Sequence, residues 1–175
     1  MTIKPGWQGR FFEDFMVGDV YQHPGGRTLT EVDNTWFTLL TMNTHPLHFD
    51  AEYGKQTEFG RCLINSTLTL SIVVGMSVTD VSLNAVANLG WDEVRLPHPL
   101  FAGDTLYAES EVLATRESRS RSNAGIVTVR TRGFNQHGDL VIDFRRSALI
   151  YRKGAAPDMA AARQRQFPAG EDTSS

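Results

Sequence analysis

Cysteine is almost missing from this 175-residue sequence: Cys62 stands alone, so no intramolecular disulfide can staple the chain. A chain that must rely on its own core in this way suits a reducing compartment, and the cytoplasm is the expected location. No Cys-centred catalytic motif surrounds Cys62, and a packing role is expected of it. Long apolar runs are missing too. No stretch reaches the length of a membrane span, and the opening MTIKPGWQGRFFEDF lacks the apolar core of a secretion signal. Neither charge sign dominates. A formal net charge of −3 and a pI near 5.9 give no electrostatic footprint for nucleic acid or an anionic membrane.

The composition that remains, 41% apolar and 21% charged, is that of a soluble globular protein large enough to bury a core. Without an internal repeat or a mid-chain linker, one domain is expected. It runs over residues 1–153. From Gly154 the sequence turns to GAAPDMAAARQRQFPAGEDTSS, whose scarce apolar surface cannot offset its ordering entropy, so 154–175 reads as a flexible tail.

The first helix signal is TEVDNTWFTLLTMN. Thr30 can serve as N-cap with Asp33 three residues on, a capping box with Asp in the place of Glu. Val32, Trp36, Leu39 and Leu40 recur at helical spacing and read as the core-facing stripe. THPLHFDAEYGKQTEFGR follows, a polar loop with a short helix around Glu52 to Gln56 and Asp50 as a local cap. NSTLTLSIVVGMSVTD suits a strand or a buried helix by propensity. Its length favours a helix of roughly four turns, capped by Asn65 or Ser66 and buried on all sides, with Gly75 allowing another backbone close. Beyond it AVANLGWDEVRL, DTLYAESEVLATRES, AGIVTVRTRGF and DLVIDFRRSALIYR read as strands, the last two joined by a turn at NQHGD. The expected class is α+β, a curved antiparallel sheet wrapped around one central helix.

Three patches carry chemistry: Asn43-Thr44-His45-Pro46-Leu47-His48-Phe49-Asp50, Phe59-Gly60-Arg61-Cys62-Leu63-Ile64-Asn65-Ser66, and Val94-Arg95-Leu96-Pro97-His98-Pro99-Leu100-Phe101-Ala102-Gly103-Asp104-Thr105-Leu106. Their order, with FFEDFMVGDVY and RTLTEVD upstream, resembles the MaoC-like, R-specific enoyl-CoA hydratase family from about Phe11 to Arg152. The loop LTMNTHPLHFD is similar to that of the mesaconyl-CoA hydratase branch. The resemblance implies a hot-dog fold, a homodimer or larger assembly, and a thioester bound beside the central helix. It also implies a hydro-lyase that moves water onto or off the double bond of an acyl-CoA. In that family the loop usually reads Asp-x-Asn-Pro-Ile/Leu-His. The His falls on His48 as general acid/base, and a backbone N–H at the start of the central helix, here at Ser66, polarises the carbonyl.

Asn43 stands where the family has Asp, and an amide has no proton-accepting group near neutral pH. Asn43 and His45 are therefore expected to position water and tune His48. Polar residues in the pocket fit an acyl group that carries its own carboxylate, so Arg61, Asn65 and Ser66 are expected to bind substrate. Mesaconyl- or itaconyl-CoA fits that description. No cofactor beyond the coenzyme A of the substrate and no metal is expected, since hydration needs only a polarised thioester. Two alternatives stand beside this reading. A hot-dog thioesterase would place an acid on or beside the central helix, but none appears before Asp80. A non-catalytic acyl-CoA-binding module would explain the missing aspartate.

Overall fold

Thr30 opens the first helix in a computed structural model that describes residues 6–158. Its hydroxyl accepts the Asp33 N–H, and the Asp33 carboxylate accepts the Thr30 N–H at 2.9 Å, so the shorter acid closes the capping box. Helix α1 runs over Glu31–Leu40. Its rotation is the reverse of what the apolar spacing predicts. Val32, Trp36, Leu39 and Leu40 are each more than half exposed, whereas Asn34 and Thr38 are buried. The reason lies in the loop that α1 covers, which presents carbonyls and amides that only polar side chains can satisfy.

A 3-10 turn at Pro46–His48 leads to α2, Ala51–Lys55, capped by the Asp50 carboxylate on the Glu52 and Tyr53 N–H groups. The β-branched run that follows is helical. Asn65 caps α3, Ser66–Met76, and a π-helical turn at Val78–Ser82 ends it. Leu68, Thr69 and Val73 face the sheet, but Thr67, Ser71 and Gly75 lie exposed, so one face of this single chain's central helix is open where burial all round is expected. A Cβ built at Gly75 meets nothing. The close approach falls instead at Gly133, where a Cβ would stand 2.7 Å from Ile142 and 2.9 Å from Val73 of the helix.

Strands β1 (Val20–Gln22), β2 (Arg27–Thr28), β3 (Ala85–Arg95), β4 (Thr105–Glu117), β5 (Ala124–Phe134) and β6 (Leu140–Tyr151) form an antiparallel sheet in the order β1-β4-β5-β6-β3, with β2 also on β4. The β5–β6 turn closes through Asn135 and Asp139, with Gly138 at φ 84. β1 and β2 are too short to leave an alternation in the sequence. The sheet curves around α3, the hot-dog layout that the resemblance implies.

Two apolar clusters fill the inside of the curve. One joins Val73 and Leu68 to Phe144, Ile142 and Leu106, and the other joins Val112, Val127, Val129 and Ile150 to Phe15 and Val81. Ser110 lies on β4 between Ala108 of the first and Val112 of the second. It belongs to a buried polar layer: Asp80 to His23 Nδ1 at 3.0 Å, His23 Nε2 to Ser110 at 2.9 Å, and Ser110 to Thr131 at 2.8 Å. The expected tail begins beyond the last strand, and its residues 159–175 lie outside the described residues.

Candidate active site

The loop after α1 is shaped by its own side chains. Asn43 Oδ1 accepts the His45 N–H at 3.0 Å, and the Asn43 N–H donates to Thr38 O, which ties the loop to the end of the helix. His45 then caps the 3-10 turn, its Nδ1 accepting the Leu47 N–H at 3.1 Å. A ring nitrogen that accepts carries no proton, so neutral His45 has its hydrogen on Nε2. His48 is held the opposite way. Its Nδ1 lies 2.9 Å from Leu63 O, which can only accept, so Nδ1 bears the hydrogen and Nε2 keeps a free lone pair. The rings lie 5.9 Å apart, and the edge of His45 meets Tyr53. One histidine thus offers a donor and its neighbour an acceptor.

Asn34 connects this loop to the central helix. Its amide nitrogen donates to His48 O at 2.7 Å and to Leu63 O at 3.0 Å, and its Oδ1 accepts the Asn65 N–H at 2.8 Å. Sequence reasoning missed Asn34 and Thr38 because the apolar stripe drew attention to the other face. The signal was present: Asn34 and Thr38 stand four apart, on one helix face.

Asn65, expected as a substrate contact, is instead buried and spent on structure. Its Oδ1 accepts from the Thr67 N–H and hydroxyl, and its Nδ2 donates to Thr38 at 3.2 Å. It presents the helix start, where Ser66 is exposed and its N–H donates to no acceptor among the described residues. Ser66 lines a cavity of about 220 Å³ with Thr69, His98 and the apolar Phe59, Leu63, Ile64 and Leu100. His48, Asn43, His45, Asn65 and Arg61 are not among its walls, so the cavity is more apolar than the sequence suggests, and His48 is linked to it through the carbonyl of Leu63, a wall residue. The exposed Arg61 stands over Phe101, its guanidinium carbon 3.7 Å from the ring centre, and Phe101 neighbours Phe59 of the cavity wall. No carboxylate pairs with Arg61 among the described residues, which leaves its N–H edge free.

A larger cavity, about 310 Å³, lies elsewhere among Glu93, Arg95, Arg130, Asp143 and Arg145, and shares no wall residue with the first. Its charges mostly answer one another, as in the Arg130–Asp143 and Arg145–Glu93 pairs. Burial, with the charges of Glu31 and Asp50, pushes the Cys62 thiol up, away from the thiolate that a nucleophile needs. Asp80, the first acid after Asn65, lies in the π-helical turn and is held by Arg10 and His23. No group of three or more His, Cys, Asp or Glu able to hold a metal occurs among the described residues. No helix among them is long and apolar enough to cross a membrane.

A family model described as mesaconyl-CoA hydratase matches residues 4–173. The mesaconyl-CoA hydratase of Cereibacter sphaeroides is 36% identical over 148 residues, 85% of this chain and 43% of that protein. The β-methylmalyl-CoA dehydratase of Chloroflexus aurantiacus is 34% identical over 145 residues, 83% of this chain and 41% of its own length. A solved MaoC domain protein dehydratase from Chloroflexus aurantiacus superposes with a TM-score of 0.82 at 32% identity, covering 89% of this chain and 45% of that one. The chain therefore spans less than half the length of these relatives.

Proposed function

We propose a function on one premise: the chain belongs to the mesaconyl-CoA hydratase family, within the MaoC-like hot-dog proteins. It is a hydro-lyase that adds water to, or removes it from, the double bond of an enoyl-CoA. The observation that carries this reading is the pair of opposite tautomers. In the hydration direction the Nε2 lone pair of His48 takes a proton from water as the water oxygen bonds to the β-carbon. Electrons of the double bond move toward the thioester carbonyl, and a proton returned to the α-carbon completes the addition. His45 Nε2–H donates to the water oxygen and aims its lone pair. Asn43 holds His45 and takes no proton. The free Ser66 N–H, at the positive end of α3, meets the negative charge that develops on the carbonyl oxygen.

The acyl group is a methyl-branched C5 diacid, as in mesaconyl- or itaconyl-CoA. Apolar walls suit its methyl and carbon chain, and the unpaired edge of Arg61 suits its second carboxylate. Coenzyme A enters as part of the substrate. The protein works as a homodimer or larger homo-oligomer, because the single chain leaves Leu89 and Trp91 exposed on edge strand β3 and one face of α3 open. The absence of any acid on α3 favours water addition over thioester hydrolysis.

The test is a panel of enoyl-CoAs, diacid and monoacid, followed by loss of the conjugated double bond. Mesaconyl- or itaconyl-CoA should exceed crotonyl-CoA in kcat/KM, and Arg61→Ala should narrow that margin by about ten-fold, the scale of one lost charge-assisted contact. Equal losses on both substrates would remove Arg61 from recognition. Release of free thiol without hydration would favour the thioesterase, and binding without turnover would favour the non-catalytic module.

A further inference from the structure

We propose that Asn34 is the positioning residue of this site, the single side chain that locks the tautomer of His48 and the start of α3 to one another. The inference rests on the hydratase reading for its kinetic consequence, but the geometry stands apart from it. Asn34 is 2% exposed and uses three hydrogen bonds, each on a different part of the site. The bond to His48 O at 2.7 Å fixes the backbone of the acid/base residue. The bond to Leu63 O at 3.0 Å aims the carbonyl that receives the His48 Nδ1–H at 2.9 Å. The third, from Asn65 N–H to Asn34 Oδ1 at 2.8 Å, fixes the residue that caps α3 and precedes the Ser66 donor.

The arrangement needs an amide. Only Asn or Gln brings two N–H donors and one carbonyl acceptor on one planar group, and the longer Gln would not fit the same three partners. An aspartate in this place could still accept from Asn65, but it would turn oxygens toward the His48 and Leu63 carbonyls. The His48 carbonyl would lose the donor it has here and the Leu63 carbonyl one of its two, the Leu63 carbonyl would turn away from the carboxylate, and the Nδ1–H of His48 would lose its acceptor. His48 would then populate both tautomers, and only the one with Nε2 free is competent as a base. Thr38 offers a built-in control. It lies one turn along the same buried face and bonds the Asn65 side chain at 3.2 Å, yet it makes no hydrogen bond to His48 or Leu63.

The experiment uses the full chain with ¹⁵N-labelled histidine. Ring nitrogen shifts assign the tautomer of His48 in the wild type, Asn34→Asp and Thr38→Val, with His48→Gln to identify its signals. The wild type should show His48 as one Nδ1–H tautomer. Asn34→Asp should show a mixture, and with mesaconyl-CoA its kcat should fall about ten- to hundred-fold with KM little changed. Thr38→Val should lower the melting temperature and leave the His48 tautomer alone. If Asn34→Asp does not fold, Asn34→Ser, smaller and neutral, gives the same readout. A single unchanged tautomer in the folded Asn34 variant overturns the proposal. So does a mixture of equal size in Thr38→Val, which would make the effect one of general packing. Should the wild type hydrate no enoyl-CoA, the hydratase reading fails while the ring shifts still judge Asn34.

Discussion

His23 and His48 are held by partners far away in sequence, and the difference between them separates scaffold from site. His23 has no exposed side-chain surface, and both of its ring nitrogens are taken, one by Asp80 and the other by Ser110. His48 gives up only Nδ1, to a carbonyl that can never take the proton away. A ring with both nitrogens engaged stabilises and specifies; a ring with one left free can trade protons. The Asp–His–Ser order around His23 has the outline of a nucleophilic triad. Ser110 is fully buried and bonded onward to Thr131, so no substrate reaches it.

The contrast breaks first if the two histidines are exchanged in their consequences. His48→Ala should lower the rate of enoyl-CoA hydration by roughly two to four orders of magnitude, the scale of general acid–base catalysis, while the melting temperature moves little. His23→Leu should leave the rate per folded molecule within a few-fold. Near-wild-type turnover in His48→Ala would end the catalytic assignment of that residue.

The next effect is one of stability. His23→Leu leaves Asp80 and Ser110 short of a buried partner, which costs about 1–3 kcal/mol and several degrees of melting temperature. Its pH dependence is specific. Burial holds His23 below the ordinary imidazole value of 6.5, against the pull of Asp80, with Arg146 and Arg10 adding to the lowering. Burial pushes Asp80 up, but the hydrogen bonds from His23 and Arg10 and the neighbouring positive charge outweigh it and hold the carboxyl below 3.8. For His23, the unfolded chain takes up its proton first as the pH falls. The wild type should therefore keep this contribution above about pH 6.5 and lose it progressively below, toward the folded-state value. The variant should lack that decline. Denaturant midpoints at several pH values between 7 and about 5 measure it. Parallel pH curves for the two proteins would mean that folding does not shift His23, and a wild type that gains on the variant as the pH falls would mean that His23 is charged in the fold.

The sequence made the sheet legible because its four long strands carry alternation or β-branched runs over eleven or more residues, and their bounds agree with the expectation to within a residue or two. The capping box at Thr30 and the cap at Asn65 were legible because capping is local chemistry. The rotation of α1 was not. Apolar spacing states which residues share a face, but the burial of that face depends on what the helix covers, and here it covers loop carbonyls that take their donors from the Asn34 side chain. The site divides in the same way. Motif order singles out His48 as a candidate and the structure begins α3 at Ser66 as expected, whereas Asn65 looked like a ligand-facing amide until its cap and its bond to Thr38 were visible. Asn34 lies 14 residues from His48 and 31 from Asn65, and only the fold brings them together.

The smallest effect sharpens the comparison most. Asn43→Asp gives the His45–His48 pair a carboxylate neighbour, as Asp80 is to His23. The new oxygen can still accept the His45 N–H at 3.0 Å, so the loop should keep its shape and the melting temperature should stay within a degree or two. Its charge favours the imidazolium form of the nearby rings. That form harms the site twice. A proton on His45 Nδ1 removes the cap on the Leu47 N–H, and a proton on His48 Nε2 removes the base. The acid limb of the rate profile should therefore move to higher pH, with a loss of a few-fold near neutrality and weaker binding of a diacid substrate through like-charge repulsion. A gain of activity on mesaconyl-CoA would show that an acid at this position serves as a second base after all. An acid limb that does not move would mean that neither ring senses position 43, and the part given to Asn43 would shrink to the shape of the loop.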